Sequence, residues 1–237
     1  MLAIDQILRL PLLPLLLLQG IAVRRRALIL PEPSGPRQGQ CGSGPLLRLL
    51  IAGDSSAAGV GTSDQAQALS GQMAAQLATN FELHWQLQAT TGHKTRDTLA
   101  QLAALPKQRF DVVVLALGVN DVTSGTSRRG FAREQSQLMQ LLEDRFEPDL
   151  ILASGVPQMQ LFPALPQPLA WVLGRQSTRL DTVLKAEAQN RPNVLHLPFE
   201  LPQDPDLAAK DGYHPSAQAY HLWAELLVQH IHAQLKT

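Results

Sequence analysis

From Leu46 onward the sequence predicts an α/β fold, a parallel sheet with helices on both faces. Two observations carry this reading. Five short apolar runs have strand length: LLRLLIA (46–52), LHWQLQA (83–89), VVVLALG (112–118), LILASGV (150–156) and NVLHLPF (193–199). Between them lie stretches with the 3.6-residue period of amphipathic helices. The third and fourth runs are almost continuously apolar, as strands covered on both faces should be. Ala66, Leu69, Met73 and Leu77 recur at helical spacing, as do Leu138, Leu141 and Leu142, and then Tyr220, Trp223, Leu227 and Ile231. Strands alternating with helices of this length imply a five-stranded parallel sheet in one domain, residues 46–237.

In such sheets ligands bind beyond the carboxyl ends of the strands, near the switch in strand order. Taken in order, the strand ends carry polar clusters. Gly53-Asp54-Ser55 follows the first strand, Thr91-Gly92 the second, and Gly118-Val119-Asn120-Asp121 the third. Asp211-Gly212-Tyr213-His214-Pro215-Ser216 lies after the fifth strand and before the last helix. All four converge on one edge of the predicted sheet.

At 237 residues the chain is long enough to bury a sizeable core. Twenty basic and twenty acidic residues balance, so no global field favours nucleic acid. The single cysteine, Cys41, excludes an intramolecular disulfide and a multi-thiolate zinc site.

Residues 1–30 form a different kind of segment. An apolar run over 10–23, interrupted by Pro11, Pro14, Gln19 and Gly20, ends at Arg24, Arg25 and Arg26. As a helix this run spans about 21 Å at roughly 1.5 Å per residue, short of a bilayer core of roughly 30 Å. A spanning helix is therefore not expected. A signal peptide is disfavoured too, because the basic cluster follows the apolar run and no A-x-A-like site precedes it. Two readings stay open: an arm lying at a membrane interface from the cytoplasmic side, or a segment packed on its own domain. Residues 31–45 are rich in proline and glycine and are expected to be a connector.

The run IAGDSSAAGVG (51–61) admits two chemistries. A dinucleotide loop needs a third glycine, but position 64 is Asp, and no P-loop motif occurs. A nucleophile needs a serine on a strand-to-helix turn, an imidazole to take its proton, an acid to orient that imidazole, and oxyanion donors. Every part has a candidate. Gly53 allows a sharp turn, Ser55 projects from the strand end, His214 is a general base, and Asp211 lies three residues before it. The backbone N–H groups of Ser55 and Gly92 and the side-chain amide of Asn120 are available donors.

These four blocks, GDSS, the single glycine, GVND and DGYHP, resemble those of the SGNH-hydrolase superfamily, the GDSL-type esterases and lipases. The resemblance covers residues 46 to the C terminus. It implies a flavodoxin-like three-layer α/β/α sandwich, hydrolysis of acyl esters or thioesters, and no metal or organic cofactor. It also implies Ser55 as nucleophile, Asp211 and His214 as the rest of a triad, and Ser55, Gly92 and Asn120 as the oxyanion hole. Ser56 stands where many relatives carry leucine, which leaves Ser56 as a second candidate nucleophile.

Residues 155–174 are long and apolar for a plain connection, with Pro157, Pro163, Pro166 and Pro168 beside Met159, Leu161, Phe162, Leu165 and Trp171. They are expected either to wall an acyl-chain pocket or to pack over the sheet edge. The expected partner is a small-molecule or lipid ester, medium-chain rather than acetyl. Within the family, acyl thioesterase or acyltransferase activity on the same triad is the nearer alternative, and two competing classes remain: a silent binding protein on the same fold, and a metal-dependent hydrolase using Asp54, Asp121, Asp211 and His214 as ligands. Of the other histidines, His93 is a candidate cleft residue, whereas His84, His196, His221, His230 and His232 lack a comparable partner in the sequence.

Overall fold

The computed structural model describes residues 4–200, 202 and 204–235. A long helix α1 (Ile4–Arg26) precedes a short strand β1 (Gln38–Cys41). Strand β2 (Leu46–Gly53) then leads into a single helical turn, α2 (Ser55–Ala58), and into α3 (Leu69–Leu77). Next come β3 (Glu82–Ala89), α4 (Thr95–Ala103), β4 (Val112–Ala116), α5 (Val119–Thr123) and α6 (Arg128–Phe146). The chain ends with β5 (Leu150–Ser154), α7 (Leu169–Gln189), β6 (Val194–Leu197) and α8 (Ala217–Leu235).

The strands form one sheet in the order β1-β3-β2-β4-β5-β6. The five from β3 to β6 are parallel, and all coincide with the apolar runs of the sequence. Both faces are covered, and the pleat divides each central strand between them. Leu49, Ile51, Val112 and Val114 pack with Met73 and Leu77 of α3 and with Tyr220, Trp223 and Leu227 of α8. Leu50, Ala52, Val113 and Leu115 face Leu102 of α4, Phe131 and Leu142 of α6, and Leu180 of α7. This is the three-layer α/β/α sandwich. Ala66 departs from its predicted face: it lies on a short turn before α3 and is exposed.

The sheet has six strands where five were expected. The sixth, β1, pairs antiparallel with β3 through Gln38 opposite Gln86 to Cys41 opposite Leu83. It falls inside the segment read as a connector. Its residues, Gln-Gly-Gln-Cys, have no apolar alternation, because backbone pairing along the eight-residue edge of β3 holds them.

The arm also differs from expectation. α1 runs unbroken through Pro11 and Pro14, which both sit on its exposed side, and it extends beyond the apolar run at both ends. Residues Ile7–Arg26 are long and apolar enough to cross a membrane by length and composition, so shortness is no obstacle. The helix packs on α7.

Candidate active site

The sheet reverses direction at β2: the chain moves outward to β3, then returns past β2 to β4. Crevices open at such a switch, beyond the strand carboxyl ends. Gly53, the last residue of β2, is held against β4, where a Cβ would lie 2.1 Å from the Ala116 carbonyl oxygen. The glycine is thus required for space and not for an unusual turn. Asp54 then caps α2, accepting at Oδ1 from the Ser56 N–H at 3.0 Å and from the Ser56 hydroxyl at 2.7 Å. The cap places Ser55 at the first position of the helix. Gly59, left-handed at φ 93°, ends the turn.

Opposite Ser55 stands the 211–216 loop. His214 Nε2 lies 2.9 Å from Ser55 Oγ, and His214 Nδ1 lies 2.5 Å from Asp211 Oδ2. These partners fix the tautomer: Nδ1–H donates to the carboxylate and Nε2 offers its lone pair to the serine hydroxyl. Asp211 Oδ1 accepts from the backbone N–H groups of Tyr213 and His214 at 2.9 and 3.0 Å. Burial alone would raise the Asp211 carboxyl, but the bonds from the His214 ring and these two amides prevail and hold it below its usual range. Backbone bonds from Ala209 N to His214 O and from Ser216 N to Leu207 O clip the loop to its neighbour. Ser56 is excluded from this line, since its hydroxyl is committed to Asp54.

The third group surrounds the β3–α4 turn. Gly92 has φ 86°, a left-handed conformation that disfavours any side chain, although space for one exists. Thr91 N–H is taken by Glu32 and His93 N–H by the Thr90 carbonyl. The N–H groups of Gly92 and Ser55 have no acceptor among the described residues. Asn120, on α5, donates from Nδ2 to the His93 carbonyl at 2.9 Å and faces Asp54 Oδ2 at 3.4 Å. Its amide is thereby oriented between the second and first clusters. Asp121 is buried and accepts from the Thr95 N–H and hydroxyl, tying α5 to the start of α4. Burial pushes its carboxyl upward.

An apolar cavity of about 630 Å³ opens beside Ser55, within the roughly 300–1,000 Å³ range of ligand sites. Ser55 and His214 line it with Leu117, Leu161, Phe162, Phe199, Leu207 and Trp223. The wall therefore comes partly from the early half of the 155–174 segment, whereas Met159 and Leu165 pack into the core and Trp171 lies outside the lining. Tyr213 meets Phe162 edge to face, with ring centroids 5.4 Å apart, joining this wall to the His214 loop. Neither Gly92 nor Asn120 lines the cavity, whereas Ser55 does.

Several histidines depart from the sequence reading: His84 Nε2 lies 3.3 Å from Glu82 Oε1, and His221 Nε2 lies 3.2 Å from Glu225 Oε1. His196 does have a partner: its Nε2 lies 2.8 Å from Asp181 Oδ1, which also accepts from the Val156 N–H. The pair ties α7 and β6 to the segment that follows β5. His93 acts through its backbone carbonyl, and its ring is absent from the cavity lining. Glu32 and Asp181, by contrast, carried no signal, because each meets its partner through the fold and neither belongs to a local motif. Among the described residues, no group of three or more His, Cys, Asp and Glu side chains is arranged to hold a metal ion.

Solved structures share this architecture. The chain aligns with a carbohydrate esterase family 2 enzyme from Corynascus thermopiles (Myceliophthora fergusii) at a TM-score of 0.64 and 17% identity, over 86% of this chain and 69% of that one. It aligns with the structure of TesA at a TM-score of 0.61 and 22% identity, over 80% and 98% of the two chains. The psychrotrophic esterase EstA from a Pseudoalteromonas species aligns at a TM-score of 0.61 and 18% identity, over 80% and 99%. No curated protein sequence matches the chain. Residues 51–222, which hold Ser55, Gly92, Asn120, Asp211 and His214, match the GDSL-like lipase/acylhydrolase family, and the chain belongs to that family.

Proposed function

We propose that the protein hydrolyses carboxylic acyl esters, lipid-like or medium-chain esters foremost, through a Ser55-His214-Asp211 triad and an acyl-enzyme. The observation that carries this reading is the unbroken path from Asp211 through the His214 ring to Ser55 Oγ, at 2.5 and 2.9 Å, beside an apolar cavity. In the first step Ser55 Oγ bonds to the ester carbonyl carbon while His214 Nε2 takes its proton. The carbonyl π pair moves onto oxygen, where the N–H groups of Ser55 and Gly92 and the Asn120 amide receive it. Asp211 stays ionised, holds the ring and stabilises the imidazolium.

Collapse of the tetrahedral intermediate breaks the ester C–O bond, and the leaving alkoxide takes the proton from Nε2. Water then attacks the acyl-enzyme by the same relay, and Ser55 recovers its proton as the acid departs. The apolar cavity suits the acyl chain. A fluorophosphonate probe should label the wild type and Ser56→Ala but not Ser55→Ala. Labelling retained in Ser55→Ala overturns the assignment. A chain-length series of p-nitrophenyl esters, run beside acyl thioesters, tests the substrate: preference for acetate refutes the medium-chain reading, and preference for thioesters refutes the ester reading.

A further inference from the structure

The outward face of α1 takes no part in this chemistry. Between Ile7 and Val23 the only polar side chains are Arg9 and Gln19, and both turn toward the domain. Gln19 Nε2 donates to the Gln167 carbonyl at 2.6 Å, and its Oε1 accepts from the Leu169 N–H at 3.1 Å. Arg9 donates to the Val172 carbonyl at 3.5 Å. Leu12, Leu16 and Val23, spaced with them by threes and fours, are half-buried along the same seam. The remaining face is bare and apolar, leucines with Ile7, Pro11, Pro14 and Ile21, with Leu10 77% and Leu18 66% exposed, and beyond the helix Ile29 is 92% exposed. Residues 7–31 carry Arg9, Arg24, Arg25 and Arg26 and no acid, and the last three arginines are exposed.

We propose that this face lies in the plane of a bilayer containing anionic lipid, its leucines in the acyl boundary and Arg24 to Arg26 among the headgroups. The helix lies flat because its seam from Arg9 to Gln19, about 15 Å at roughly 1.5 Å per residue, is laid along the domain. A helix threaded through the membrane would carry α7, with Arg175 and Arg179, into hydrocarbon. Charge selects the occupant, since a one-signed, acid-free surface is matched by anionic headgroups and repelled by a second copy of itself.

The test is co-sedimentation of the full chain with phosphatidylcholine vesicles, with and without phosphatidylglycerol. Binding should require phosphatidylglycerol, weaken with salt, and fall roughly a hundredfold in R24Q/R25Q/R26Q, from about fivefold per arginine. L10Q/L18Q, exposed positions that leave the core alone, should also release the protein. Equal binding to neutral vesicles, an α1-dependent dimer that ignores both vesicles, or resistance to alkaline carbonate extraction would each overturn the proposal. Hydrolysis of a soluble short ester should be unchanged in these variants, so this test stands apart from the fate of the Ser55 assignment.

A second inference rests on Glu32, outside the family-matched residues. Its Oε1 accepts from the Thr91 N–H at 2.9 Å and the Thr91 hydroxyl at 2.7 Å, and its Oε2 pairs with Arg37 at 2.8 Å. Arg37 in turn donates to the carbonyl of Ala89, the last residue of β3. The turn presenting Gly92 is thus held on both sides by a segment that precedes the family's motifs. We infer that Glu32 is a positioning residue for the Gly92 N–H, an inference resting on the oxyanion reading above. Burial raises the Glu32 carboxyl, but the Thr91 bonds and Arg37 outweigh it and keep the group below its usual range.

Glu32→Ala should lower kcat about tenfold, part of the roughly 10²–10³ lost with a whole oxyanion donor, with KM unchanged and the fold intact. Glu32→Gln keeps an acceptor oxygen for Thr91 and should restore most of kcat. An unchanged kcat in Glu32→Ala, or Glu32→Gln as impaired as Glu32→Ala, refutes the role. Ser55→Ala run alongside separates this outcome from failure of the triad itself, because activity surviving that change would remove the oxyanion reading altogether.

Discussion

Asp54 is sealed from solvent directly beside Ser55, and burial pushes its carboxyl from 3.8 up to about 6, against the pull of the Ser56 bonds and of His214. Because the folded value lies above the unfolded one, the native state holds this proton more tightly. The resulting stability is fully present below 3.8 and is lost as pH rises through about 6. At about 1.4 kcal/mol per tenfold, the gap corresponds to roughly 3 kcal/mol forfeited at neutral pH. Asp54→Asn cannot ionise, keeps Oδ1 for Ser56, but turns an amide donor toward Asn120 Nδ2, an opposition that costs about 1 kcal/mol. The variant should therefore unfold in urea with a free energy about 2 kcal/mol higher than wild type near pH 8. Near pH 4 that gain should vanish. The same change should depress kcat, since it displaces the Asn120 amide. A variant no more stable near pH 8, or equally favoured at both pH values, would refute the reasoning.

Other consequences can be measured separately. Asn120→Ala should reduce kcat by about 10²–10³ with KM little altered, and a loss below about tenfold in a folded variant would remove Asn120 from the oxyanion hole. Asp211→Asn should cost on the order of 10⁴ in kcat by inverting the His214 tautomer. The Asp211 carboxyl is lowered on folding, so its stabilising contribution is present above its ordinary value and lost as pH falls through the depressed one. Acid unfolding of Asp211→Asn should accordingly lack that component. Phe162→Ala enlarges the cavity wall and removes the ring beneath Tyr213, so kcat/KM should fall most for the longest acyl esters.

The sheet's central strands were readable because burial on both faces leaves an apolar signature in each strand. The proposed triad was readable for another reason: Asp211 and His214 lie in one loop, and Ser55 follows a strand by two residues, so local order brings the three into view. β1 escaped because its pairing is made by backbone groups that every sequence possesses. Glu32 and the Asp181–His196 pair escaped because their partners are brought together only by folding. α1 was misjudged because its length was counted over the apolar run 10–23 alone, whereas the helix continues from Ile4 to Arg26 through both prolines.

The antiparallel strand β1 gives the sheet something that the family-matched residues alone would lack. Without it the full length of β3 would become an open edge, eight residues of unpaired backbone able to recruit another chain. Trimming the chain to its recognisable hydrolase region would thus expose a template for aggregation and strip Glu32 and Arg37 from the Gly92 turn. A deletion that asks about α1 alone has to stop short of Glu32, which already belongs to the folded unit through Thr91.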